Sequence, residues 1–177
     1  MKISHYLIGL FILALCGGCF TGATKKQKRE IYYFDLQTFF KDEIVRLNKA
    51  NPEVIKTVWH NNQSENKQVK ISDWSTELSL FTESDINKTA FENSYHKDST
   101  ATKIIYNAKN KDLKTQRITI YLQNQKPIFI NIINQQNNYL FKSWENLKYY
   151  PQKAYIINKK QKLLFWEIEV YEVKGEL

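Results

Sequence analysis

Few residues in this chain are equipped for covalent or acid–base chemistry, and they fall in three places. Cys16 and Cys19 flank two glycines in the C-x-x-C spacing of a redox pair or half a zinc site. A structural zinc site takes four ligands. No other cysteine exists and only His60 and His96 follow, so no metal site is expected. A thioredoxin-type pair would sit at a strand-to-helix junction, whereas these sulfurs follow an apolar run. His96 and Asp98 form the second place, in Tyr95-His96-Lys97-Asp98. Near neighbours in an irregular segment seldom converge on one substrate. The third is Glu167 and Glu169; paired carboxylates can do acid–base work, but alternation with Trp166, Ile168 and Val170 marks them as the wet face of a strand. Covalent catalysis needs a nucleophile, a base and a group that orients them. No thiol remains beyond Cys19, and no phosphate-binding glycine loop, H-E-x-x-H or G-x-S-x-G occurs. The expectation is a non-enzymatic protein without metal or cofactor; an exported hydrolase using His96 or the carboxylates is the least supported alternative.

The elements around the cysteines point to an address. Lys2 supplies a positive start, and Tyr6 to Leu15 (YLIGLFILAL) an apolar run of secretory length. Such a run is shorter than the roughly 20 residues that cross a bilayer as a helix. With Gly17, Gly18 and Cys19 behind it, the stretch resembles the lipobox of bacterial lipoproteins. Cys16 departs from that pattern, standing where the family usually has Leu. A frame on Cys16 itself would put the large Leu15 next to the cut, so the frame on Cys19 is favoured. The resemblance implies cleavage after Gly17-Gly18 and a diacylglyceryl group on the Cys19 thiol. Two acyl chains suffice for stable anchoring, one chain being marginal. Phe20 stands where an inner-membrane retention Asp would, so the family resemblance favours the outer membrane. The organisation expected is a signal peptide over 1–18, an anchor and tether over 19–30, and a single domain over 31–177.

Composition bounds that domain. About 150 residues are enough to bury roughly 68–70% of the unfolded surface. With both cysteines in the leader, no disulfide is available, and packing must suffice. Aromatics are plentiful at 14%, while 5 Gly and 3 Pro argue against a low-complexity body. Lys and Arg number 26 against 18 Asp and Glu, giving a charge of +8. Nucleic-acid binding is one use of such an excess, but the lysines are scattered, and export would separate the protein from nucleic acid. The one tight cluster, Lys25, Lys26, Lys28 and Arg29, lies where it could touch anionic head groups.

Asp35 can cap a helix whose apolar face is Leu36, Phe39, Phe40, Ile44 and Leu47, with Phe34 stapled onto Phe39 and Asn51-Pro52 ending it. Val54 to Trp59 and Lys67 to Ile71 read as a hairpin around a polar loop. A second helix is expected from Ser72 or Asp73, burying Trp74, Leu78, Phe81 and Ile86. Residues 87–100 read as irregular. From Thr102 the period changes to two, through Ile104–Tyr106, Ile118–Leu122, Ile128–Ile132, Tyr139–Trp144, Ala154–Ile157 and Leu163–Val173. Turns are expected at Asn110-Lys111-Asp112, Asn124-Gln125-Lys126, Gln136-Asn137-Asn138 and Asn158-Lys159-Lys160. The predicted fold class is α+β, two helices packed on a curved antiparallel β-meander in the order helix, hairpin, helix, meander.

Aromatics crowd the C-terminal strands. Such rings pair across strands in ordinary cores; they can also line an apolar-ligand surface. That surface is expected to include Trp144, Tyr155 and Trp166. The functional expectation is an envelope lipoprotein held to the membrane through acyl chains on Cys19, with a binding or assembly role. Its partner would be an envelope protein or an apolar ligand; a periplasmic carrier or chaperone is the alternative.

Overall fold

Asp35 begins the first helix as its chemistry dictates: its carboxylate accepts from the backbone N–H and hydroxyl of Thr38. The computed structural model describes residues 30–61 and 63–177. Helix α1, Leu36–Ala50, buries Leu36, Phe40 and Leu47, and Phe34 packs on Phe39 with ring centroids 5.9 Å apart. Asn51 ends it in the left-handed region (φ 43°), its N–H donating to the Leu47 carbonyl. The second predicted helix is instead two short pieces, α2 (Trp74–Glu77) and α3 (Ser79–Glu83), which meet at Leu78. Asp73 caps α2 with bonds from Ser75 and Thr76, and these hold its carboxyl down at about 2. Ser75, Thr76, Ser79 and Thr82 lend the run little intrinsic helicity. Even so, Trp74, Leu78, Phe81 and Ile86 all reach the core.

The rest is mainly sheet. Among the described residues, nine antiparallel strands lie in the order β2-β1-β9-β8-β7-β6-β5-β4-β3. They are β1 (Glu53–His60), β2 (Gln63–Lys70), β3 (Tyr95–Ser99), β4 (Lys103–Ala108), β5 (Thr115–Gln123), β6 (Lys126–Asn137), β7 (Phe141–Tyr150), β8 (Ala154–Leu163) and β9 (Glu169–Glu176). The fold is α+β but dominated by its sheet. β9 pairs with both β8 and β1, and so joins the N-terminal hairpin to the C-terminal meander. Asn124 and Gln125 both take positive φ (50° and 61°) in the two-residue β5–β6 turn, the conformation that matches strand twist.

Further sequence expectations are corrected: Gln136 and Asn137 belong to β6 and not to a turn, and β2 begins at Gln63, within the expected polar loop. Residues 95–99 form an edge strand rather than an irregular segment. Asn158-Lys159-Lys160 is not a turn but the middle of β8. Leu163–Val173 is not one strand: β8 stops at Leu163, the chain reverses, and β9 starts at Glu169.

One sheet face carries Tyr106, Ile118, Ile120, Ile130, Ile132, Leu147, Tyr149 and Tyr155, all buried. Helices are fastened to this face by aromatic and ionic contacts. Phe40 lies 5.0 Å from Tyr149, and the Tyr149 hydroxyl donates to Glu43 at 2.6 Å. Glu43 also takes a bidentate pair of bonds from Arg46. Burial alone would raise the Glu43 carboxyl; the bonds from Arg46 and Tyr149 outweigh it and hold it below its ordinary value. A parallel clamp joins the Tyr155 hydroxyl to Glu77, whose other oxygen pairs with Lys56 at 2.8 Å. Tyr155 packs edge-on against Trp74 and lies over its cross-strand partner Gly175. A Cβ at position 175 would clash with the hydroxyl-bearing edge of the Tyr155 ring (Cε1, Cζ and the hydroxyl), which its contacts with Glu77 and Trp74 hold in place. Gly175→Ala is therefore expected to cost about 2 kcal/mol or more, read as a lower urea midpoint.

Candidate binding surface

The opposite end of the sheet holds the exposed chemistry. A row of cross-strand partners, Thr115, Asn134, Glu145, Lys159, Tyr171 and His60, marks where the helical layer gives way. Part of this row is a buried polar cluster. The Asn134 amide donates to Glu145 (3.0 Å) and to the Ser84 hydroxyl (2.8 Å), while Lys159 lies 3.8 Å from Glu145. Ser84 donates its own proton to the Leu80 carbonyl. The cluster pairs part of its buried polar groups, while the Asn134 side-chain oxygen is buried without a hydrogen-bond partner among the described residues.

Beyond this row β6 to β9 continue as two hairpins whose tips are joined. Asn138 shapes the first turn, its side-chain oxygen accepting from the N–H groups of Leu140 and Phe141. In the second turn the Leu164 N–H donates to the Leu140 carbonyl at 3.1 Å, and the Trp166 N–H to Leu163. The side chains these turns present are apolar and face water: Tyr139 is 85% exposed, Leu140 63%, Phe165 90% and Trp166 71%. Leu164 and Ile168 add to the patch. An open cleft of about 560 Å³ lies between Asn137–Lys142 and Lys162–Leu164. Apolar rings and aliphatics are thus concentrated at one end, with polar strands behind them; exposed apolar patches of this kind often mark interaction sites.

The expected ligand surface is only partly assembled. Trp144 stands on the helix-free face of β7, opposite Lys160 and Gln135, and lines a recess with Ile168. Trp166 belongs to the adjoining tip. Tyr155 does not join them: it is buried on the other face, in the clamp with Glu77. Cys19, Gly17 and Gly18 lie outside the described residues. The acid–base candidates are also dispersed. His96 and Asp98 touch at 3.2 Å on edge strand β3, both in solvent. His60 stacks flat on Tyr171, centroids 4.4 Å apart. Glu169 takes bonds from Gln161 and Tyr171 that lower its carboxyl pKa, whereas Glu167 lies outside the strand. Among the described residues, no group of three His, Cys, Asp or Glu could hold a metal, and no helix is long and apolar enough to cross a membrane.

The apolar tip is what sequence reasoning missed. Its signal was the run Leu163-Leu164-Phe165-Trp166, which period-two reading assigned to a strand. No family model matches the chain, and no curated protein or solved structure matches it either.

Proposed function

We propose that this protein is a membrane-anchored bacterial envelope lipoprotein, held by acyl chains on Cys19, whose domain works by binding rather than catalysis. The observation that carries the binding role is the unpartnered apolar end of β6–β9, where Phe165 and Trp166 stand in water. Each such side chain forgoes about 1.5–3 kcal/mol of burial, a cost that a partner would recover. The anchor rests on the order of positive charge, apolar run, Gly17-Gly18 and Cys19. The outer membrane is the preferred location, on the lipobox resemblance and Phe20.

The anchor is tested by mass spectrometry of the membrane fraction, wild type against Cys19→Ser. The expected wild-type product begins at Cys19, carries acyl chains there and stays with the membrane; the variant is released or keeps its leader. A wild-type product that begins upstream, or carries no fatty adduct, refutes the anchor. The second reading, an apolar-ligand carrier, is favoured by the cleft beside Leu140 and Leu163. It requires a non-covalent lipid in organic extracts of the purified protein at about one per chain.

A further inference from the structure

The two hairpin tips carry a second pattern besides their apolarity. Lys142 and Lys162 are direct cross-strand partners on the helix-free face, and Lys160 follows two residues along on that same face. All three are exposed, and none has a carboxylate within ion-pair distance among the described residues. Like charges placed directly opposite each other weaken a strand pair. The acids nearby do not relieve them: Glu167 is exposed in the turn, and Glu169 is held on the opposite face by Gln161 and Tyr171. An apolar point backed by unpaired lysines matches the layering of a bilayer surface, where aromatic rings sit at head-group level and bases meet anionic lipid.

The point at which the chain enters the domain fits the same orientation. Tyr33 packs on Tyr95 at 5.5 Å, and its hydroxyl donates to the carbonyls of Phe91 and Glu92. Tyr95 in turn donates to the Thr115 carbonyl, in the row beyond which the hairpins project. The chain thus reaches the domain at the end that bears the tips. Eleven residue steps separate Cys19 from Glu30, a span of at most about 40 Å.

Of the other aromatics on this face, Trp144 lies beside the lysines, opposite Lys160, and the rest do not compete for the role. Tyr121, Phe129 and Tyr150 stack on one another at 5.7 and 4.6 Å, with Lys103 over the Tyr121 ring, so their faces are already spent.

We propose that the joined β6–β7 and β8–β9 tips are a membrane contact of their own: Tyr139, Leu140, Phe165 and Trp166 enter the interface of an anionic bilayer. Lys142, Lys160 and Lys162 lie against its phosphates. The tip and its lysines carry this inference, which stands with or without the lipid on Cys19.

The test uses the mature lipidated protein in phosphatidylcholine vesicles, with and without phosphatidylglycerol. An environment-sensitive dye is placed at Phe165→Cys, or at Val45→Cys on the exposed face of α1. Flotation reads the anchor; quenching by spin-labelled lipid reads the tip. With phosphatidylglycerol, the dye at 165 is expected to shift to the blue and be quenched, while that at 45 is not. Replacing the three lysines by Glu should abolish the difference between vesicle types. Protein that floats while position 165 stays unquenched overturns the proposal and leaves the tip to a protein partner. Should the chain prove unlipidated, the full chain must still sediment with phosphatidylglycerol vesicles. The exposed pair Phe165→Ser and Trp166→Ser must then weaken that binding about tenfold or more, on interfacial burial alone. An unlipidated chain that ignores such vesicles also overturns the proposal.

Discussion

Raising the pH through the tyrosine range is expected to unfold this domain in one step. Tyr95, Tyr106, Tyr149 and Tyr155 are all buried, and burial pushes each phenol above its ordinary value of 10.0. The carboxylates of Glu43 and Glu77, which accept from Tyr149 and Tyr155, push those two further. A raised native pKa means that the folded chain keeps a proton which the unfolded chain releases. The stabilisation is complete below about pH 10 and declines as the pH climbs toward the folded values. Each tyrosine contributes at most about 1.4 kcal/mol per pH unit, so the three most strongly shifted, Tyr95, Tyr149 and Tyr155, together remove roughly 4 kcal/mol per unit. Total stability of a domain is about 5–15 kcal/mol, so little should remain two units above the ordinary value. Tyrosinate absorbance and far-UV circular dichroism should therefore change together. Four phenols that ionise smoothly while the sheet signal persists would show that these hydroxyls are not sealed in the core.

What could be read from the sequence follows what each segment is packed against. α1 was legible from its cap, its staple and the 3.6-residue recurrence of Leu36, Phe40 and Leu47. The apolar positions of the second helical region held although the helix breaks at Leu78, because Trp74, Leu78 and Phe81 need only face the sheet. β5 and the middle of β6, at Ile130, Ile132 and Asn134, alternate cleanly, having one face under the helices and the other in water. The pattern fails where that cover ends. Along β8, Lys159 and Gln161 face the same side as Tyr155 but lie beyond the helices, so both faces turn polar and the strand reads as a turn. β3 has only Tyr95 buried, and its charged remainder suits an exposed sheet edge.

The candidate surface was half legible for a related reason. Aromatic density in the C-terminal strands is plain in the sequence, but the face each ring takes depends on register. Tyr149 and Tyr150 are adjacent and point to opposite sides, one into the core and one onto the helix-free face. Trp144 and Tyr155 are divided in the same way. Leu163-Leu164-Phe165-Trp166 breaks the rule that reversals are polar, and departures of that kind are expected at functional or strained sites.

Phe40→Ala is expected to be the most damaging single truncation. Phe40 is fully buried, with its ring 5.0 Å from Phe81, 5.0 Å from Tyr149 and 5.1 Å from Phe39. It sits where α1, α3 and β7 meet. Removing the ring forfeits its transfer energy and leaves a cavity walled by stiff aromatics, which cannot close over it. Such changes cost about 3–5 kcal/mol, a large share of a total near 5–15 kcal/mol. Tyr149 would lose packing on the side from which its hydroxyl reaches Glu43, so the alkaline transition should begin at lower pH as well. Val45→Ala, on the exposed face of the same helix, should stay within about 0.5 kcal/mol of wild type. Urea unfolding separates the two: the Phe40 variant should move the midpoint without changing the slope. A Phe40→Ala protein within about 1 kcal/mol of wild type would mean that α1 is not seated on β7. The clamps that hold Tyr149 and Tyr155 under the helices would then need another foundation.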